Sequence, residues 1–304
     1  MSKQVAFEGI LPALITPLTA DAGAVDYAAL TTIVEDLIAA GVHGLVPCGS
    51  TGEFVTLSHD ERRAVVETVT GAAADRVPVV VHTGALSTAE TVEFSIHAEA
   101  AGAAAVMVVP PFYEQLSERE LLAHFAAVAD AVSVPLMYYN LPGATGVELT
   151  FEQFQELQRV ARVETLKDTS GNAVAGMELI QRDDEGPTLL NGMDSLTFSS
   201  FAAGARAAIW GAANFLPREA VELHRLLAVE NDLVGARELW KRIYPICAFL
   251  ESHSYTVAVK EACDLVGLPT GTLRRPLLPL EPAERAELAG LLEKAGVGPV
   301  GAGR

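Results

Sequence analysis

Eight apolar runs of strand length, each followed by a segment with helical spacing, predict a (β/α)₈ TIM barrel with a C-terminal helical extension. Two further observations support that class. The runs are apolar along both faces, as parallel strands covered by crossover helices must be. The eight units fit within residues 1–216, whereas residues 217–304 show helical patterning only. An open doubly wound sheet is the rival, but the first run ends in Ile15-Thr16-Pro17-Leu18 instead of a Gly-rich nucleotide turn, and no GxxxxGK[ST] motif occurs.

In chain order the strand candidates are ILPALIT (10–16), HGLVP (43–47), PVVVH (78–82), AAVMVVP (104–110) and VPLMYYN (134–140). They continue with VETLK (163–167), TLLNG (188–192) and AAIWG (207–211). The intervening segments carry apolar residues three and four apart: Leu30, Ile33, Val34 and Leu37 in the first, Leu121, Leu122, Phe125 and Val128 in the fourth. Beyond Pro217 the helical stretches are 223–229, 236–249, 257–266 and 282–294, and the Gly-rich tail after Ala295 is expected to fray.

Composition narrows the function. The 304 residues are 50% hydrophobic, enough for a large core, and the net charge of −18 repels nucleic acid and anionic membranes. A membrane helix needs roughly 18 apolar residues; the longest candidate, 100–113, is broken by Pro110 and Pro111. With no basic-then-apolar leader and three cysteines lacking CxxC spacing, a cytoplasmic protein with free thiols is expected. The seven histidines show no HxH or HExxH spacing, so no metal is expected.

Lysine usage points to chemistry. Only five of the 21 basic residues are lysines, and Lys167 stands alone between Lys3 and Lys241. Arginine can supply permanent charge, but only lysine can shed its proton and attack a carbonyl. Lys167 ends a strand candidate, at the rim where barrel enzymes carry their reactive groups. Strand alternation places Val163, Thr165 and Lys167 on one face, and Pro135, Met137 and Tyr139 on one face of the preceding strand. Tyr139 and Lys167 are therefore expected as neighbours, a phenol able to relay protons beside an amine nucleophile. Asp168 points the other way. After the second strand, Gly49-Ser50-Thr51-Gly52-Glu53 offers two glycines for close backbone approach and two hydroxyls to hold an anion. His82, Cys48 and Trp210 read as packing residues.

The stretches GSTGE (49–53), YNLPGATG (139–146), LKDTSGN (166–172) and NGMD (191–194) resemble the dihydrodipicolinate synthase and N-acetylneuraminate lyase family, in consistent order from about Gly9 to Leu280. The resemblance implies a (β/α)₈ homo-oligomer, dimer or tetramer, that binds pyruvate or another 2-oxo acid as a lysine Schiff base without a cofactor. It implies Lys167 as the imine-forming residue and Tyr139 as the proton shuttle. Ser50 and Thr51 match the hydroxyl pair that holds the carboxylate, with Gly52 beside them. Tyr113 matches a tyrosine reaching across a subunit interface, and Gly192 and Ile209 match positions lining the 2-oxo acid pocket.

Two departures bear on substrate. The family's synthases usually carry arginine where this chain has Ala144, which removes a bidentate carboxylate contact. The sialic acid lyases typically show Gly-x-Asp-Glu where this chain has Gly192-Met193-Asp194-Ser195. The expected function is a pyruvate-type class I aldolase or lyase that acts on a 4-hydroxy-2-oxo acid or condenses pyruvate with an aldehyde. The alternatives are 4-hydroxy-tetrahydrodipicolinate synthase, a 2-keto-3-deoxy sugar acid aldolase or dehydratase, and a non-catalytic 2-oxo acid binding barrel.

Overall fold

The computed structural model describes residues 7–298. Lys3 and the tail from 299 lie outside the described residues. Seven strands form one parallel sheet in the order β1-β7-β6-β5-β4-β3-β2. They are β1 (Gly9–Pro12), β2 (Val80–His82), β3 (Ala105–Val108), β4 (Leu136–Asn140), β5 (Val163–Asp168), β6 (Thr188–Asn191) and β7 (Ala207–Trp210).

The second predicted strand, residues 43–47, makes no regular ladder, only isolated bridges from Val46 to Ala13 and from Leu45 to Val79. It nevertheless joins the two edges of the sheet. On one side the Val46 N–H donates to the Pro12 carbonyl at 3.0 Å, and on the other the Leu45 N–H donates to Pro78 at 3.0 Å. The barrel thus closes on eight staves, one of them irregular. The reason is local: Pro47 has no N–H to give, and Gly44 lies where a Cβ would press within 2.9 Å of the Leu11 side chain.

Helices cover the outside: α1 (Tyr27–Ala39), α2 (His59–Ala73), α3 (Thr88–Ala100), α4 (Glu118–Ala131), the short α5 (Pro142–Thr145), α6 (Phe151–Ala161), α7 (Ala173–Gln181) and α8 (Thr197–Ala203). Side chains set where several begin. Ser58 with Glu61, Ser117 with Glu120 and Thr150 with Gln153 form reciprocal capping boxes, each worth about 1 kcal/mol. α9 (Pro217–His224) packs against β1. The remaining helices, α10 (Leu233–Ser252), α11 (Tyr255–Leu265) and α12 (Pro282–Ala295), pack on one another. Among the described residues no helix is long and apolar enough to cross a membrane, and no cluster of His, Cys, Asp and Glu could hold a metal ion.

The core has two layers. Outward-facing strand residues such as Ile10, Val106, Tyr138 and Leu166 pack under the helices, while Leu11, Val46, Val80, Met107, Met137 and Ile209 fill the barrel. One face assignment from simple alternation fails. Leu136 pairs with Val163 but Met137 pairs with Thr165, so Glu164 is an inserted residue. Val163 therefore belongs to the outer layer with Leu166 and does not share a face with Lys167. A bulge of this kind shifts side-chain parity by one, and the sequence pattern carries no mark of it.

Three buried imidazoles make the fold acid-sensitive. Burial pushes His82 down to about 3, and His124 and His224 down to about 4. Each stays neutral in the folded chain but takes up a proton near pH 6.5 when unfolded, so its contribution is present above pH 6.5 and is lost as pH falls towards 4. Asp194 opposes this, because burial raises its carboxyl to about 7 and the folded state holds a proton there that the unfolded state does not. By pH 5 the histidines cost about 2 kcal/mol each, and the net loss after the Asp194 offset is roughly 3 kcal/mol. The urea midpoint is expected to be clearly lower at pH 5 than at pH 7.5, with His124→Gln reducing the difference. Equal midpoints for the unaltered protein would contradict this.

Candidate active site

The register of β4 on β5 assembles the centre. Tyr139 pairs directly with Lys167, and Asn140 with Asp168. The Lys167 Nζ lies 4.3 Å from the Tyr139 ring centroid, and the two side chains are 5% and 3% exposed. Among the described residues no carboxylate forms an ion pair with Lys167. Asp168 faces away, accepting from Asn140 Nδ2 at 2.7 Å and from the Ser170 N–H and hydroxyl at 3.1 Å. Gly192 on the neighbouring strand end makes room for the lysine: a Cβ there would come within 2.8 Å of Lys167 Cε and of the Asp168 carbonyl oxygen.

The Ser50 hydroxyl lies 3.3 Å from the Tyr139 phenol oxygen. Burial by itself would raise the Tyr139 phenol, but the Lys167 ammonium and hydrogen bonds from Ser50, Thr169 and Lys167 outweigh it and hold the phenol below its ordinary value. A phenol that gives up its proton more readily is suited to shuttling one.

The Gly49–Glu53 loop is fixed at several points, although Cys48 and Glu53 both sit in the left-handed region at φ 60° and 56°. Such a conformation costs about 1 kcal/mol or more per non-glycine residue. It is held by Thr16 Oγ donating to the Gly52 carbonyl at 2.8 Å and by Thr256 Oγ donating to the Ser50 carbonyl at 3.1 Å. His82 is neutral and its Nδ1–H donates to the Cys48 carbonyl at 2.8 Å. Beneath the loop, Glu53 and Lys260 form a buried ion pair at 2.6 Å.

A cavity of about 260 Å³ opens over these groups. Of the residues expected from sequence, Lys167, Tyr139, Ser50, Thr51, Gly192 and Ile209 line it. Gly52 does not. It serves the loop from behind, with its N–H bonded to the Gly49 carbonyl at 3.0 Å. Tyr113 also lies outside the cavity, with 84% of its surface exposed.

The cavity has a helical wall that sequence reasoning missed, built by Glu251, Tyr255 and Thr256 from the C-terminal helices, with Met193 beside them. Tyr255 donates to the buried Asp194 carboxylate at 2.7 Å, and the Ala212 N–H donates to the same carboxylate at 3.2 Å. Burial lifts Asp194 to about 7 against the lowering effect of the Tyr255 bond. Glu251 accepts the Ser195 N–H at 2.9 Å. The one available signal was Glu251-Ser252-His253-Ser254-Tyr255-Thr256, a run of polar and aromatic residues where two apolar helices meet.

The dihydrodipicolinate synthetase family model matches residues 6–295. A 4-hydroxy-tetrahydrodipicolinate synthase of Sorangium cellulosum (strain So ce56) is 41% identical over 288 residues, covering 94% of this chain and 95% of that protein. One from Thermomicrobium roseum is 40% identical over 284 residues, 93% of each. The dihydrodipicolinate synthase of Acinetobacter baumannii, solved as a complex with pyruvate, superposes with a TM-score of 0.91 at 32% identity, covering 96% of this chain and all of that one (100%). With the fold, the lysine-tyrosine register and these relatives in agreement, the chain belongs to the dihydrodipicolinate synthetase family and is an aldolase of the pyruvate type.

Proposed function

We propose that Lys167 is the Schiff-base residue of this aldolase and that Tyr139, with Ser50, moves its protons. The observation that carries the reading is the buried Lys167 beside Tyr139, with Ser50 3.3 Å from the phenol, all lining one cavity. The unprotonated amine adds to C2 of pyruvate, Tyr139 supplies the proton that lets the carbinolamine oxygen leave as water, and an iminium forms. The iminium draws electrons from C3. The Tyr139 phenolate takes a C3 proton to give an enamine, whose attack on the aldehyde carbon re-forms the iminium as Tyr139 returns that proton to the aldehyde oxygen, and water adding to the iminium then releases the product and the free amine. Ser50 and Thr51 offer hydroxyls to the pyruvate carboxylate, and Gly192 and Ile209 shape its seat. No cofactor is called for, since the imine itself is the electron sink.

The reading includes a homo-oligomer, dimer or tetramer, in the cytoplasm, with exposed Tyr113 available to a neighbouring subunit. It keeps a barrel over 1–216 and a helical region over 217–304, the latter lending Glu251, Tyr255 and Thr256 to the cavity. A second reading takes the relatives' reaction whole, as 4-hydroxy-tetrahydrodipicolinate synthase, and the 41% identity favours it. Ala144 weighs against it, because a methyl group cannot pair with an aldehyde's carboxylate.

Borohydride added with pyruvate is expected to leave a reduced three-carbon adduct on the peptide containing Lys167, and Lys167→Ala is expected to abolish it. An unmodified Lys167 at saturating pyruvate would sink the mechanism.

A further inference from the structure

Two sets of groups lining the cavity differ in hydrogen-bonding character. Near β4 and β5 the ligand meets donors, the Lys167 ammonium and the Ser50 and Thr51 hydroxyls. At the helical wall the protons are already committed. Tyr255 gives its own to Asp194 at 2.7 Å, Thr256 gives its own to the Ser50 carbonyl at 3.1 Å, and Glu251 is a carboxylate with only one oxygen occupied by the Ser195 N–H. These groups present lone pairs, so a ligand satisfies them only by bringing hydrogens of its own. The Tyr255 phenol is also fixed in place. It lies over Gly211, in space that any Cβ at that position would occupy.

Charge points the same way. Lys167 is the one cationic side chain among the described residues that line the cavity, and Glu251 is the one carboxylate. Once Lys167 has joined the 2-oxo acid, a carboxylate on the second substrate finds no cation there. It faces Glu251 directly and Asp194 behind Tyr255, and like charges in a partly desolvated cavity repel.

We infer that the helical wall selects an uncharged aldehyde bearing hydroxyl groups, with Tyr255 and Glu251 as the specificity-determining residues that accept hydrogen bonds from those hydroxyls. The inference rests on Lys167 being the Schiff-base residue, and its test separates the two.

At pH 8, where Asp194 is mostly ionised, kcat/KM with saturating pyruvate is measured for D-glyceraldehyde, succinic semialdehyde and aspartate semialdehyde. D-glyceraldehyde is expected to exceed both carboxylate-bearing aldehydes, anionic succinic semialdehyde and zwitterionic aspartate semialdehyde, by about tenfold or more. Tyr255→Phe is expected to raise KM for D-glyceraldehyde about tenfold with a much smaller change in kcat, and Glu251→Gln to raise that KM while improving succinic semialdehyde severalfold. Retention of the borohydride-trapped pyruvate adduct in each variant reports that the lysine site is intact. A preference of the unaltered enzyme for either carboxylate-bearing aldehyde overturns the inference, and so do two trapping-competent variants with unchanged aldehyde ratios. The wild-type ratio decides the point even where a variant fails to fold. Loss of trapping in the unaltered enzyme overturns the Schiff-base reading instead.

Discussion

Lys167→Ala is expected to lower kcat for condensation of pyruvate with an aldehyde by at least about 10⁴-fold, because no other group in the cavity can form the imine. Nothing else there substitutes for the amine. The neighbouring nucleophiles are hydroxyls, and Cys48 is buried with its thiol pushed up to about 11. Lys167→Arg keeps the charge but should be no more active, since a guanidinium does not lose its proton. Tyr139→Phe isolates the relay. It keeps the ring against Lys167, removes the hydroxyl near Ser50, and is expected to cost about 10²-fold to 10³-fold in kcat while pyruvate still binds. Steady-state kinetics with a coupled pyruvate assay would measure both. Activity of Lys167→Ala within about tenfold of the parent would exclude imine catalysis at this residue.

Lys260→Met is expected to give a large stability loss. Lys260 and Glu53 lie 2.6 Å apart with side chains 3% and 1% exposed, and the ammonium also donates to the Thr16 carbonyl at 3.1 Å. Burial pulls the Lys260 ammonium down from its ordinary value, opposed by the Glu53 carboxylate. Removing the lysine strands a buried carboxylate whose remaining donor is the Arg274 N–H at 3.4 Å. The expected cost is about 3–5 kcal/mol, roughly 5–10 °C in Tm. Because Glu53 ends the loop that presents Ser50, the survivors should also lose activity. The double variant Glu53→Gln, Lys260→Met should recover part of the stability, since no unpaired charge is left behind. A loss below about 1 kcal/mol in Lys260→Met would show that the pair is dispensable.

Both halves of the motif GSTGE are thus accounted for. Its hydroxyls face the cavity, and its glutamate points away to anchor the loop on α11. The sequence supports the first role through residue type. The second was invisible there, because Glu53 and Lys260 are separated by 207 positions and nothing local marks them as partners.

Much of the fold was legible because its signals are local. Apolar runs of strand length fixed the parallel staves, hydrophobic spacing placed the helices between them, and capping pairs such as Ser58 and Glu61 marked where helices begin. Lysine scarcity together with its strand-end position singled out Lys167, and strand alternation put Tyr139 on the matching face. Two local inferences failed where geometry departs from the ideal. Glu164 bulges β5 and moves Val163 to the outer layer, and residues 43–47 close the barrel without forming a regular strand.

By itself, then, the sequence determined the barrel and singled out its candidate amine, because strand period, helix period and the presence of one lysine at a strand end are properties of short segments. Only the tertiary structure decided the helical wall of the cavity. Tyr255 meets Asp194 across 61 positions, and Thr256 meets the Ser50 carbonyl across 206. Contacts at that separation depend on how the C-terminal helices fold back over the barrel mouth, and no periodicity in the chain encodes them.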